Sequence, residues 1–445
     1  MKEYVSLYDL QTFDKNFQRN SCNALAANAV ASAGIDQVAV NNQTIRTLTH
    51  NFNVEVEGGT VTNQKRSGRC WMFAATNVMR FEVMKNLNLA NMELSQNFPL
   101  FWDKLEKSNF FLENIIKTTN EELSSRLLAY LLASPLGDGG QWDMFVNIVN
   151  KYGVCPKEAM PETISSSNTM KMDKLLTTLL RKDASILRLE ASKGAKTVTL
   201  RGLKEVMMST IYQVLVICLG KPPVTFTYET RDKKNAFVSI KDITPKDFFA
   251  KYVKLDLSDY VSIINAPTKD KPFNHSFTVK FLGNIVEGNK VRYLNLPIEE
   301  LKRLAIAQLK DGQAVWFGSD VGQYLDRVNG FLSENAYDYK TLLSADFTMD
   351  KATRLDYGES LMTHAMTLTG VNLEDKDKPT RWKVENSWGS ETGKNGFYVM
   401  DDSWFDQFTY QIVVNKKYLT KEENKQYLAD PIELEPWDPM GSLAL

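Results

Sequence analysis

Three side chains, a thiol, an imidazole and a carboxamide, stand far apart in the chain and are of types that suit nucleophilic attack on a carbonyl. Cys70 lies in "QKRSGRCWMFAATN", Gln64 to Asn77, directly after the flexible Ser67–Gly68 pair. A thiolate is the reactive form of cysteine, and the positive end of a helix dipole stabilises it. Gln64 is uncharged and its amide is able to donate. A proton acceptor is also needed, and His50, His275 and His364 are the only histidines. His364, in "LMTHAMTLTGV", has small Ala365 beside it, and Asn386 follows in "WKVENSWG". A carboxamide oxygen there could accept from the imidazole and fix its orientation. Taken alone, these spacings leave a second reading open: Cys70 as a small buried hydrophobe, with His364 and Asn386 satisfying core hydrogen bonds.

The elements that must position these groups are legible in outline. Ala74, Val78, Phe81 and Met84 recur three or four apart, so the spacing predicts a helix opening at Cys70. "GDGGQWDMFVNIVNKYGV" reads as a glycine turn and an amphipathic helix, with Trp142, Phe145, Ile148 and Val149 on one face and Gly153 as its stop. Helix is also expected over 6–17 and 24–33. Residues 165–265 change character: two strongly helical stretches precede two strands around a charged turn. Beyond about 275, strands predominate, with His364 opening one and Asn386 closing the next. A helix, "PIEELKRLAIAQLKDG", interrupts them and ends at Gly312. The expectation is an α+β architecture, helical first and β-rich last.

Composition narrows the class. At 43% hydrophobic and 24% charged, the 445-residue chain reads as globular, and its length suggests more than one domain. A formal net charge of −1 gives no reason to expect nucleic-acid binding. Cys22, Cys70, Cys155 and Cys218 show no pairing rhythm, which suits a reducing compartment. With three histidines a Cys/His metal site has little material, and neither metal nor cofactor is expected. The start, "MKEYVSLYDLQTF", lacks an apolar targeting run, and the longest apolar run, near "YQVLVICL", is too short to span a membrane. A cytoplasmic protein is expected.

Five segments in order carry a resemblance. "QKRSGRCWMFA", "ELSQ", "DGGQWDMFVNIVNKYGVCPKEAMPE", "THAM" and "VENSWGSETGKNGFYVM" resemble the active-site segments of papain-like cysteine peptidases. Ser67 stands where secreted members usually carry a disulfide cysteine. About a hundred residues are inserted before the β-rich half, and with the ending "WDPMGSLAL" these features resemble the bleomycin hydrolase family. The resemblance implies a papain-like two-subdomain fold: an N-terminal extension (1–60), a helical half (61–164), an inserted helical subdomain (165–265), a β-rich half (266–415) and a C-terminal arm (416–445).

It also implies roles. Cys70 becomes the nucleophile, His364 its ion-pair partner and general acid, and Asn386 the group that orients the imidazole. Gln64 and the Cys70 N–H form an oxyanion hole. Trp388 shields the His–Asn contact, and Gly139 and Gly140 offer backbone groups to an extended peptide. The terminal carboxylate on Leu445 meets the substrate's α-amino group, making an aminopeptidase of a hollow homohexamer. The rival readings are an endopeptidase of the same mechanism and a non-catalytic binding protein on the same fold. His50, His275 and the other three cysteines are assigned to structure.

Overall fold

The computed structural model describes residues 3–443. Its architecture is α+β, as the sequence suggests. The Cys70 helix, Cys70–Leu87, has no polar face: 14 of its 18 residues are buried, Asn77 and Arg80 among them. A helix apolar on nearly every side belongs in the middle of a core rather than on its surface. Helix Trp142–Tyr152 packs against it, and Asn97–Lys117 packs against Trp142–Tyr152 in turn. Trp142–Tyr152 stops at Gly153, at φ +82°, where an added Cβ would lie 2.3 Å from the Pro245 backbone.

Against this helical layer lies a sheet whose centre is antiparallel throughout. The strand order is Tyr260–Ile264, Thr409–Asn415, Val315–Ser319, His364–Glu374, Lys378–Glu385, Phe397–Asp401. Successive side chains of a strand point to opposite faces, and both faces here are covered. Trp316, Ala365 and Val413 enter the core that holds Cys70 and Trp71. Their neighbours Val315, Phe317, Met366, Ile412 and Val414 enter a second core under helix Ile298–Lys310. Trp142 joins the layers, its ring 6.4 Å from Trp316; such a pair adds about 1 kcal/mol beyond the area it buries.

Within the stretch 165–265, helices Met170–Ser192 and Thr197–Leu219 form a pair against Asn97–Lys117, followed by the hairpin Phe226–Arg231/Phe237–Ile243. The strand Tyr260–Ile264, also inside that stretch, belongs to the large sheet. Thr197–Leu219 is long and apolar enough to cross a bilayer by length and composition; its Leu200, Ile211, Leu215 and Leu219 are buried in the first core. At the N-terminus, helices Leu7–Arg19 and Ser21–Ala33 bury none of their residues. At the other end, Ile432–Leu434 adds a parallel strand beside His275–Val279.

Candidate active site

Cys70 is the first residue of its helix and Arg69 the N-cap, with no side-chain cap bond of its own. The first N–H groups of the helix are therefore free to face the thiol. The Cys70 and His364 segments meet where the Ala365 N–H donates to Cys70 Sγ at 3.4 Å. Two more bonds tie this helix to the sheet: Trp316 Nε1–H to the Trp71 carbonyl at 3.1 Å, and Thr367 Oγ1–H to the Ala74 carbonyl at 3.3 Å.

The imidazole is held by a carboxamide. His364 opens its strand and Asn386 directly follows the neighbouring one, where Thr367 lies opposite Glu385. His364 Nε2 lies 2.9 Å from Asn386 Oδ1, which also accepts from the Ser387 N–H at 2.8 Å. An oxygen that already accepts needs a donor on its other side, so Nε2 carries the hydrogen and Nδ1 is left as the acceptor. The Trp388 ring lies 5.0 Å from the imidazole, with the Arg327 guanidinium 4.6 Å from its centroid.

Burial dominates the electrostatics. It pushes the Cys70 thiol up to about 12, against the bonds from Ala365, Trp71 and its own N–H, and Asp138 adds to the rise. It lowers His364 to about 4, against the Asn386 bond, with Arg327 adding to the fall. The ion pair implied by resemblance thus meets a burial cost on both partners.

Gln64 is held twice. Its Oε1 accepts from Ser387 Oγ at 2.6 Å and its Nε2 donates to the Ser67 carbonyl at 2.6 Å. Ser387, which the sequence reading passed over, thereby fixes which end of the amide donates. A second unforeseen group is the buried pair Arg80–Glu385, 2.5 Å apart. It links the Cys70 helix to the residue before Asn386. Burial pushes Glu385 up to about 7 despite Arg80. The signal that could have found it is a charge inside an otherwise apolar helix.

Gly139 and Gly140 are both buried. The Gly139 carbonyl accepts from Lys107 Nζ at 2.6 Å. A Cβ on Gly140 would lie 2.6 Å from the Trp71 ring, so packing alone demands glycine there. Beside Gly139 opens a cavity of about 380 Å³, lined in part by Tyr130, Phe281, Leu361, Trp437 and Leu443. A larger cavity, about 980 Å³, lies around Tyr324, Phe347 and Phe408, and neither cavity is lined by Cys70, His364, Asn386 or Gln64. Size does not mark the chemistry here.

The C-terminal arm is anchored along its length. Asp438 pairs with buried Lys271 at 2.8 Å, and Arg126 stacks over Trp437 at 3.8 Å. Gln141 Nε2 donates to the Ser442 carbonyl at 2.9 Å, and Ser442 Oγ donates to the Met362 carbonyl at 3.0 Å. Leu445 lies outside the described residues. His50 rests against Phe331, and His275 Nδ1 lies 2.9 Å from the Phe273 carbonyl. Cys155 is buried, Cys218 half-buried and Cys22 exposed. Among the described residues no three His, Cys, Asp or Glu side chains gather as a metal would require.

A thiol at a helix start, bonded by the N–H of the residue after a carboxamide-oriented imidazole at the seam of a helical layer and an antiparallel sheet, fits a papain-like cysteine hydrolase. The chain belongs to the Peptidase C1-like family, whose model matches residues 4–441, and it is a cysteine peptidase acting on peptides. It is 52% identical to aminopeptidase C of Streptococcus thermophilus over 88% of each chain. With bleomycin hydrolase of Homo sapiens it shares 41% identity over 94% of each. The crystal structure of PepW from Lactobacillus rhamnosis HN001 superposes with a TM-score of 0.98, at 49% identity over the full length of both chains.

Proposed function

We propose that this cysteine peptidase is an aminopeptidase whose C-terminal arm limits cleavage to the substrate's N-terminus. The observation that carries this is the pinning of Ser442 between Gln141 and Met362, two residues short of His364. The bond to Met362 supports an arm whose last residues run toward the His364 segment. A carboxylate on Leu445 would then meet an α-ammonium group and bar longer chains. The names of the relatives agree with this reading.

In the mechanism, the Cys70 thiolate, paired with the His364 imidazolium, attacks the scissile carbonyl carbon. Negative charge on the carbonyl oxygen is met by the Cys70 N–H and the Gln64 amide, and an oxyanion donor is worth roughly 3 kcal/mol. The imidazolium gives its proton to the leaving amine. Neutral His364 then draws a proton from water, which releases the acyl group and restores the thiolate–imidazolium pair. Trp388 keeps water from the His364–Asn386 bond, and the N–H groups near Gly139 and Gly140 pair with the peptide backbone.

A cytoplasmic location is part of the proposal, supported by four unpaired cysteines. So is a homohexamer, supported by the exposed Leu7, Leu10, Phe13 and Phe17 of the first helix, and sedimentation of the full chain would read its mass. The arm is tested by deleting Ser442–Leu445. The full chain should trim free N-termini and refuse N-acetylated peptides, while the shortened chain should cut internally. Unchanged trimming with no internal cuts would remove the arm from the mechanism.

A further inference from the structure

Asp138 lies where three segments meet the loop before Cys70. Its Oδ2 accepts from the Gly68 N–H at 2.7 Å and from Thr169 Oγ1 at 2.5 Å. Its Oδ1 lies 2.7 Å from Lys104 Nζ, and its backbone carbonyl accepts from Trp71 Nε1–H at 2.7 Å. One residue thus grips the chain on both sides of Cys70. It is itself held from behind: Lys104 is fully buried between Asp138 and Asp173, the second 2.9 Å away. One turn further along that helix, Lys107 Nζ donates to the Gly137 and Gly139 carbonyls, the neighbours of Asp138, at 3.0 and 2.6 Å.

We infer that Asp138 is a positioning residue for peptide hydrolysis, bracing the 64–71 loop so that Cys70 and its N–H stay aimed at the reacting carbonyl. The inference rests on the assignment of Cys70 as nucleophile. The carboxylate also neutralises buried Lys104. Burial works against its charge, but Lys104, Asp173 and Thr169 outweigh that and hold it well below the usual carboxylate range. Of the two carboxyls beside Lys104, Asp173 takes the proton first, pushed by burial up to about 7. The charge kept on Asp138 makes a Cys70 thiolate harder to form. What the group contributes is geometry, and a misplacement of 1 Å costs on the order of 100-fold in rate.

The test is Asp138→Asn in the full chain, which keeps size and an acceptor oxygen but loses the tie to Lys104. With a chromogenic aminoacyl amide, kcat should fall about 10- to 100-fold with KM within about threefold. Alkylation of Cys70 by iodoacetamide, followed by peptide mass spectrometry, should reach its half-maximal rate at lower pH than in the parent. Easier ionisation together with slower turnover is the signature of lost position. A kcat within about twofold of the parent, with only the melting temperature lowered, overturns the inference. Should Asp138→Asn not fold, Thr169→Val removes one bond to the same carboxylate. A several-fold fall in kcat supports the brace, and an unchanged kcat overturns it. Activity surviving in Cys70→Ala would instead remove the nucleophile itself, so the two failures are distinguishable.

Discussion

His364 and Asn386 ride on neighbouring antiparallel strands, whereas Cys70 sits at a helix start outside the ladder and Gln64 on a loop that meets the sheet at the Asn63–Trp388 bridge and the Gln64 N–H to Ser387 carbonyl bond. On the sheet side, register places the groups: once Thr367 faces Glu385, the imidazole and carboxamide are brought within 2.9 Å without any charge. On the helix side, buried ions take over that task. Arg69 is forked onto Glu162 at 3.0 and 2.8 Å, Lys104 holds Asp138, and Arg80 holds Glu385. A ladder spreads its load over many backbone bonds, but a buried ion left without its partner is costly at once. The two halves should therefore fail differently.

The largest effect removes the chemistry and leaves both frameworks standing. Cys70→Ala should lower turnover by roughly 10⁴-fold or more, because nucleophile and base act as a unit. Adding His364→Gln should then cost almost nothing further. Single-turnover assays on the three proteins would check this. A double variant slower than either single by the product of their effects would show that the two halves do not act as one site.

Next comes the tie between the halves. Arg80→Met leaves Glu385 buried and unpaired beside Asn386, and should lower stability by about 3–5 kcal/mol in urea unfolding. Arg80→Met with Glu385→Leu should recover most of that loss, since an apolar pair carries no desolvation cost. The comparison is sharpened by Thr367→Val, which removes a neutral bond from the sheet side and should cost about 1 kcal/mol. If the Arg80 and Thr367 variants lose equal stability, buried charge is not what makes the helix side fragile.

What the sequence disclosed follows the same division. Period 3.6 from Ala74 to Met84 marked the helix at Cys70, Gly153 marked a stop, and the runs at His364 and Arg381 marked successive strands. These are local patterns. The braces are not local: Asp138 reaches Gly68 across 70 residues, Arg80 reaches Glu385 across 305, and Ser387 reaches Gln64 across 323. Nothing in the spacing of Lys104 and Lys107 separates a buried pair of cations from a solvated helix face. The run "YVSII" at Tyr260 is apolar but for Ser262 and shows no alternation, so periodicity could not assign it to the sheet, where it is buried on both faces. Even the roles of His364 and Asn386 needed a family resemblance, because a lone imidazole and a lone carboxamide have ordinary structural uses.

Acid gives the mildest way to separate the halves. His364 falls from its usual 6.5 to about 4 through burial, so between those values the unfolded chain binds a proton that the folded chain does not. Stability is full above about pH 6.5, declines as pH drops, and below about pH 4 has lost roughly 3 kcal/mol from this group. Asp138, held well below the usual range, keeps its charge through that window. The sheet half should therefore loosen while the nucleophile loop is still braced. Urea unfolding from pH 7 to 4.5 should show a steeper loss for the parent than for His364→Gln, whose side chain does not titrate. Amide exchange should quicken at Ala365 before Gly68. Parallel pH slopes for the two proteins would mean that the folded state takes up the proton at His364 as readily as the unfolded chain does.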